Sequence, residues 1–238
     1  MFFRFGYATV FVKGDVFMKK LISLLLAMVL MFSLFGCSGE KDPDDVRGDV
    51  TKNTSPSEEP KFSLGTTESN TYKNEFLGIS CTLSSEWVFY TDEQMRELNN
   101  IVGDVVGEEL AQKLEKASII YDMCVTNVND SSSINVNLEK VTSLQLKNTT
   151  VKALLESQID DMKTAYENMG LTDIKVQYQK ITVDGKEFDA LVYSANAQGA
   201  GLYGTIFSFI KGNYMANVAV TTVQTNKVDT ILGYFEIQ

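Results

Sequence analysis

The most reactive side chains in this sequence belong to three cysteines, and histidine is absent from all 238 positions. Histidine is the commonest general acid or base near neutral pH and the commonest metal ligand. Serine and cysteine hydrolases that rely on a histidine base are therefore excluded in their usual form. The spacing of Cys37, Cys81 and Cys124 matches no zinc motif, so we predict no catalytic residue, no metal site and no cofactor.

Cys37 differs from the other two cysteines because it ends a strongly apolar segment. Met18 and two lysines precede about 16 apolar residues, a length that fits a secretory signal better than a membrane span of roughly 20 residues. The residues Leu34-Phe35-Gly36-Cys37 resemble the lipobox of bacterial lipoproteins. In that family the signal is cut before a cysteine that carries diacylglycerol, so the resemblance implies lipid attachment at Cys37. The alternative is that residues 21–35 remain as an uncleaved anchor.

Residues 1–17 precede a second, complete start of a signal at Met18, which export does not require. Codons for Lys13-Gly14-Asp15 can contain a purine-rich ribosome-binding tract shortly before Met18. We therefore expect residues 1–17 to be an upstream mis-start and residues 18–36 to be the lipoprotein signal peptide. The rest of the chain is expected to be exported and lipid-anchored to the outer face of the bacterial cytoplasmic membrane.

Residues 37–71 follow as a polar segment that contains all three prolines of the chain and is rich in Asp, Glu, Ser and Thr. Such a segment cannot bury enough apolar surface to offset its ordering entropy, so we predict a disordered tether. Its acidic run at 42–45 is interpreted as solvated linker and not as a cation site. The net charge of −10 repels phosphate backbones, which disfavours a nucleic-acid partner.

Residues 72–238 are predicted to form a single domain, because strand and helix periods alternate along them. Helices are predicted to begin after Thr91, Thr150 and Thr225. Hairpins of strands punctuated by helices that cover a sheet face indicate an α+β layered fold. The predicted strands are 77–83, 119–128, 134–144, 174–183, 187–195, 202–210 and 214–223.

Several stretches of this region form a pattern known from one family: Tyr72-Lys-Asn74-Glu-Phe-Leu-Gly78-Ile-Ser-Cys-Thr-Leu-Ser-Ser-Glu86-Trp87, the hairpin at 183–188, the strands through Tyr203 and Tyr214, and a closing helix with Ile231, Leu232 and Phe235. They resemble the Mog1/PsbP-like domains, some of which are found in bacterial lipoproteins. Ser84 stands where this family usually has proline. The resemblance implies a central antiparallel sheet covered by helices, and a domain that binds other macromolecules without catalysis.

Two residue types in this domain have both a functional and a structural interpretation. Trp87, the sole tryptophan, suits a ligand platform, but its place after a strand favours a core or turn anchor. Cys81 and Cys124 lie in predicted strands and are able to form a disulfide after export. Buried free thiols are the favoured interpretation.

Three further groups of residues also have both a functional and a structural interpretation. The aromatic residues of the last strands either line a groove or pack in the core: Tyr193, Tyr203, Phe207, Phe209 and Tyr214. The glycines within 199–204 are interpreted as a loop or the start of a strand, because no helix with a Lys-Ser/Thr pair follows, as a nucleotide loop requires. Asp160, Asp161 and Glu167 are interpreted as a solvated helix face and not as catalytic carboxylates.

The leading functional prediction is a noncatalytic binding module in the cell envelope. Its ligand-binding residues are not identified by the sequence, and its partner is an envelope protein, a cell-wall polymer or a small ligand. The alternative is a solute-binding lipoprotein that feeds a transporter, for which the region after Tyr72 is short, since two lobes must surround a cleft. A histidine-free hydrolase is a third hypothesis, which no residue spacing supports.

Overall fold

Strands dominate the folded part of this chain. The structure, a computed structural model, describes residues 62–101, 113–114 and 117–238, with 50% of them in strands and 21% in helices. The predicted α+β fold, a central sheet covered by helices as in a Mog1/PsbP-like sandwich, is therefore wrong. The domain is mostly β and contains two antiparallel sheets, because the alternating segments after residue 172 continue through two-residue turns as long strands.

The elements follow one another in an order that places most helices between two groups of strands. The strands are β1 (Thr66–Glu68), β2 (Thr71–Asn74), β3 (Ile79–Thr82), β4 (Trp87–Phe89), β5 (Ile119–Asn127), β6 (Ser133–Lys140), β7 (Thr172–Val183), β8 (Lys186–Ala197), β9 (Ala200–Lys211), β10 (Tyr214–Val223) and β11 (Phe235–Ile237). The helices are α1 (Asp92–Leu98), α2 (Ser143–Asn148), α3 (Val151–Ser157), α4 (Ile159–Asn168) and α5 (Val228–Leu232). None of the helices within the described ranges is long and apolar enough to cross a membrane.

The two sheets pack face to face around the main core. The small sheet has the order β1-β2-β3-β11, and the large sheet has the order β4-β5-β6-β10-β9-β8-β7. Tyr72 and Phe235 of the small sheet meet Val136 and Val218 of the large sheet in one buried cluster, which α5 also joins. We call this side of the large sheet its inner face. Alternation along each strand sends every second side chain into this core.

The outer face of the large sheet is covered by helices only in part. Helices α3 and α4 pack on strands β7–β10 through residues such as Leu155, Tyr166 and Leu191. Helix α1 covers β5 near Tyr121 and Cys124. Two separate helical layers therefore cover parts of the outer face, and neither layer extends across the whole sheet.

The helix starts were predicted more accurately than the helix ends. Thr91 and Thr150 cap α1 and α3 through their side chains, as predicted. The predicted strand at 134–144 ends early, since Thr142 and Gln145 form a capping box that starts α2. The long helix predicted after Thr150 divides at Gln158 into α3 and α4.

Two boundaries differ from prediction at the ends of the domain. Strand β1 lies before Tyr72, where the folded region was predicted to begin. Thr225 does not cap the last helix, which starts at Val228, and Phe235 belongs to strand β11 instead of that helix. The small sheet thus unites two distant parts of the chain, because β11 pairs with β3.

Strand β7 forms one edge of the large sheet. It is 12 residues long and mostly exposed, with Lys175 and Lys180 among its exposed side chains. Its pairing with β8 shifts register between Thr172 and Lys175. Lysines and irregular pairing are features that oppose the addition of another strand to a sheet edge.

Candidate functional site

A half-buried carboxylate, that of Asp122, lies between the two sheets. The register of β5 against β6 shifts between Tyr121 and Met123, so Asp122 is the extra residue of a β-bulge. A bulge redirects the side chain at its position. Here it turns a carboxylate from the large sheet towards β2 of the small sheet.

Three donors from the small sheet and its leading segment bind this carboxylate. The Tyr72 hydroxyl donates to Oδ2 at 2.5 Å, the Asn74 amide donates to Oδ2 at 2.7 Å, and the Gly65 backbone N–H donates to Oδ1 at 2.8 Å. Asn74 also accepts a hydrogen bond from the backbone N–H of Leu77, which fixes the turn after β2. Asp122 therefore ties the small sheet to the large one through hydrogen bonds that span long sequence separations.

Burial dominates the electrostatics of this group, which we call the Asp122 hub (Gly65, Tyr72, Asn74 and Asp122). Desolvation raises the pKa of Asp122, although hydrogen bonds from Tyr72, Asn74 and Gly65 oppose the rise. The pKa of Tyr72 is also raised, first by burial and then by the nearby Asp122 carboxylate. The tyrosine therefore stays protonated and acts as a hydrogen-bond donor.

The hub has no room for a side chain at position 65, so glycine is required there. A Cβ at this position would overlap the ring of Tyr72 and approach the Asp122 carboxylate. The absence of a side chain lets the Gly65 backbone N–H reach Oδ1 while the tyrosine ring lies across it. The sequence pattern did not single out this glycine.

A cleft of about 590 Å³ opens beside the Asp122 hub, and we call it the edge cleft. It lies between the β1 side of the small sheet, helix α1 and the part of β5 that β4 does not reach. Thr66, Thr67, Asp92 and Arg96 supply polar groups. Its other lining residues are Leu64, Gly65, Phe89, Tyr90, Met95, Asn99, Ile101, Leu114, Tyr121, Asp122, Met123 and Cys124.

Asn99 holds helix α1 against the wall of the edge cleft. Its side-chain amide donates to the carbonyl of Tyr121 at 2.8 Å, and its Oδ1 accepts from the backbone N–H of Tyr121 at 2.8 Å. These bonds satisfy backbone groups on the free side of β5, next to the bulge. Asn99 is therefore committed to structure, and so is Asp122, whose two oxygens both have donors.

Neither buried cysteine is arranged for chemistry. Cys81 and Cys124 are free, as predicted, and lie in different sheets. Burial raises the pKa of each thiol to about 12, so both stay protonated at neutral pH. Cys124 lines the edge cleft only as part of its wall.

The other residues that the sequence offered as possible sites have structural roles. Trp87 is buried in the main core, as predicted. Asp160, Asp161 and Glu167 are exposed on α4, and Asp160 pairs with Lys163, which confirms the solvated face. The segment 199–204 forms a turn and the start of β9, also as predicted.

The aromatic residues of the last strands divide between the two faces of the large sheet, so they do not line a common groove. Tyr193 lies in the outer cluster, whereas Phe207 and Tyr214 lie in the main core. Tyr203 and Phe209 are half-buried at the edge of that core. Cys37, the lipobox-like residues 34–37 and the acidic run at 42–45 lie outside the described residues.

The Asp122 hub itself was missed in the sequence, although one signal was present. Asp122 interrupts the apolar strand pattern of residues 119–125, whereas Tyr72 and Asn74 carry no signal beyond the family resemblance. An acid inside a buried strand needs partners, and this requirement points to a polar cluster. Within the described residues, no group of His, Cys, Asp and Glu is placed to hold a metal ion.

Two solved structures show a distant likeness to this chain. The sequence matches no protein-family model and no curated protein. A Bacteroides thetaiotaomicron structure aligns with 71% of this chain and 48% of its own, at 9% identity and a TM-score of 0.36. LpqN of Mycobacterium tuberculosis, which is involved in cell envelope biogenesis, aligns with 65% of this chain and 75% of its own, at 10% identity and a TM-score of 0.34. This chain thus spans about half the length of the first of these proteins, and at such scores neither likeness carries an argument about function.

Proposed function

We propose that this chain is an exported bacterial lipoprotein whose β domain is a noncatalytic binding module of the cell envelope. Acylated Cys37 anchors it to the outer face of the cytoplasmic membrane, and the lipobox-like residues 34–37 after an apolar segment support this anchor. The resemblance of residues 72–87 to domains that bind macromolecules without catalysis is a second support. This support rests on those residues alone, because the helix-covered fold that the resemblance also implied is wrong.

The observation that carries the binding role is the edge cleft beside the Asp122 hub. A cleft of about 590 Å³ falls within the range of ligand pockets, and its wall combines apolar side chains with a few polar groups. Its buried titratable group is committed to holding the sheets together, since both Asp122 oxygens accept hydrogen bonds from the domain itself. The groups left to contact a ligand are on the rim, where Thr67 is exposed. This arrangement suits recognition better than proton transfer.

The anchor is tested by replacing the proposed acylated cysteine in the full chain. Bacteria that express the wild type should yield membrane-extracted protein with an N-terminal diacylated Cys37, measured by mass spectrometry. Cys37→Ser should abolish the modification and leave the signal uncut. Recovery of wild-type protein that keeps residues 21–35 and lacks lipid would contradict the proposal.

The binding role is tested with a photo-cross-linking amino acid placed at Thr67 in the membrane-anchored protein. The matched control carries the same group at Glu187, which is exposed on β8, away from the cleft. We expect a defined adduct from position 67 that position 187 does not give, identified as protein, glycan or small molecule by mass spectrometry. Equal adducts from both positions, or none from position 67, would refute binding at the edge cleft. An adduct with a transporter subunit would favour the solute-receptor alternative.

A further inference from the structure

A second cavity opens where helix α5 meets the inner face of the large sheet, and we call it the inner cleft. Its volume is about 210 Å³. It is lined by Gln179, Ile181, Val192, Tyr193, Tyr203, Gly204, Thr205, Asn226, Val228, Asp229 and Leu232. None of these residues lines the edge cleft, so the two cavities present different side chains.

Several polar groups around the inner cleft have unused hydrogen-bonding capacity. Across the described ranges, the Gln179 amide, the Tyr203 hydroxyl and the Asp229 carboxylate form no hydrogen bond. Asn226 uses only its Oδ1, which accepts from the backbone N–H of Val228 at 3.1 Å, so its amide donors remain free. Four side chains are therefore able to bind a guest without breaking a bond of the fold.

The chemistry of these groups selects the kind of guest. Side-chain amides and a phenol both donate and accept, and a carboxylate accepts, which together complement hydroxyl groups. Among the described residues, no lysine or arginine lines the inner cleft, so an anion would meet Asp229 without a compensating positive charge. One carboxylate without other strong ligands is also a poor site for a metal ion. An uncharged molecule with several hydroxyls fits this lining best.

The shape of the inner cleft limits the size of the guest. The half-buried ring of Tyr203 provides a flat wall and lies so close to Gly201 that a Cβ there would displace the ring. Ile181, Val228 and Leu232 add apolar surface suited to C–H groups. The volume lies below the roughly 300–1,000 Å³ of pockets for drug-sized ligands, so one small ring fits and an enclosed oligomer does not.

We propose that the inner cleft binds a small, uncharged, polyhydroxylated molecule of the size of a single sugar ring. Gln179 and Asn226 donate to its hydroxyl oxygens, Asp229 accepts from its hydroxyls, and the Tyr203 ring lies against its C–H face. The buried residues Val228, Ile231 and Leu232 hold α5 against the core, and Lys227 also donates to Asp130 at 2.7 Å, which ties the Asn226–Asp229 segment to the loop after β5. This proposal does not depend on binding at the edge cleft.

The test measures saturation transfer by NMR from the full chain in phosphatidylcholine vesicles to D-glucose. Empty vesicles give the background, and tetrahydropyran-2-methanol, which keeps the ring but has a single hydroxyl, is the matched probe. We expect saturable transfer to glucose with a Kd on the order of 1 mM, and much weaker transfer to the matched probe. No transfer above empty vesicles, or equal transfer to both probes, would overturn the proposal.

Variants show whether glucose binds in the inner cleft. They are placed at exposed side chains, so that a loss of binding does not result from misfolding. Gln179→Ala removes the amide and Asp229→Ala removes the carboxylate, both from exposed side chains, and each should raise the Kd about threefold to tenfold. Asn226→Asp removes the amide donors that would bind glucose, but it keeps a side-chain oxygen that accepts from the backbone N–H of Val228. Gln177→Ala, on the same exposed side of β7 but outside the lining, should leave the Kd unchanged. If Gln179→Ala and Gln177→Ala behave alike, the glucose is not in the inner cleft. Cross-linking from Thr67 reports on the edge cleft alone, so the two proposals fail separately.

Discussion

Two aspartates near opposite ends of β5 both join a smaller element to the large sheet, but they do so in opposite electrostatic settings. Asp122 lies in the bulge and holds the small sheet through three neutral donors. Asp130 lies in the loop after β5 and holds the start of α5 through Lys227, with a side-chain exposure of 25%. The first tie is an inter-sheet connection, and the second is a clamp near the surface.

The difference shows how the surroundings decide what a carboxylate contributes. Burial raises the pKa of Asp122, and three neutral hydrogen bonds do not cancel that rise. Burial would also raise the pKa of Asp130, but hydrogen bonds from Lys227 and Ser132 outweigh it and lower the pKa. The opposite directions follow from two differences together, because Asp130 is less buried than Asp122 and one of its donors carries a full positive charge.

The largest effect should come from removing the buried tie. Asp122→Ala leaves the Tyr72 hydroxyl, the Asn74 amide and the Gly65 N–H without their acceptor. We expect the free energy of unfolding to fall by about 3 kcal/mol, because buried donors without partners are costly. Urea unfolding of the full chain, followed by the fluorescence of Trp87, measures the loss. Asp122→Asn keeps the shape and should lose less, and an alanine variant as stable as wild type would refute the inter-sheet role.

A smaller loss should follow from crowding the same hub. Gly65→Ala places a methyl group where the Tyr72 ring lies, so ring or backbone must move. We expect a loss of about 2 kcal/mol, in the range of overpacked sites. Gly233→Ala is the control, because its new Cβ would approach only backbone carbonyl oxygens at 3.3 Å and 3.7 Å. Equal losses in the two variants would show that the Tyr72 contact does not matter.

The surface clamp should contribute less than either change in the hub. Asp130→Asn removes the ion pair with Lys227 but keeps an oxygen to accept from the backbone N–H of Ser132. We expect a shift of the urea midpoint smaller than that of Gly65→Ala, and smaller again in high salt, since exposed ion pairs are screened. A shift as large as that of Asp122→Ala would invert the comparison between the two ties.

The pH dependence of stability should have opposite signs at the two aspartates. The pKa of Asp122 is raised from 3.8 in the folded state. The stability that is linked to its protonation is therefore fully present below 3.8 and is lost as pH rises through the folded-state pKa. Because the pKa of Asp130 is lowered from 3.8, its contribution is present above that value and is lost as pH falls through the folded-state pKa. Unfolding of wild type, Asp122→Asn and Asp130→Asn across this range checks both signs. Parallel pH curves for the three proteins would contradict both shifts.

Local signals in the sequence predicted the long strands and two of the helix starts. The alternation from residue 174 to 223, with the turn at Asp184-Gly185, predicted four strands that are all present. Thr91 and Thr150 marked helix starts because a threonine side chain satisfies a free N–H at that position. These features depend only on neighbours in the chain, so periodicity and capping suffice to find them.

The arrangement of the elements was harder to predict, because it depends on distant pairs. Nothing near Phe235 indicates that it pairs with Cys81 in another strand, so the small sheet was not foreseen. Asn99 gave no local sign that it would bind the backbone of Tyr121. The inner cleft likewise arises where Asn226 and Gln179, far apart in sequence, meet across the fold. The fold class was wrong for this reason, although most of its strands were right.

The edge strand β7 affects how the protein behaves when many copies lie close together. With the membrane anchor that we propose, copies held on one surface would meet often, and an unguarded edge of 12 residues would let their sheets join into fibrils. Lys175 and Lys180 would then face like charges, and the register shift near Thr172 would misalign the backbone groups of an incoming strand. The strand that ends the sheet therefore helps neighbouring copies remain separate molecules in a crowded layer.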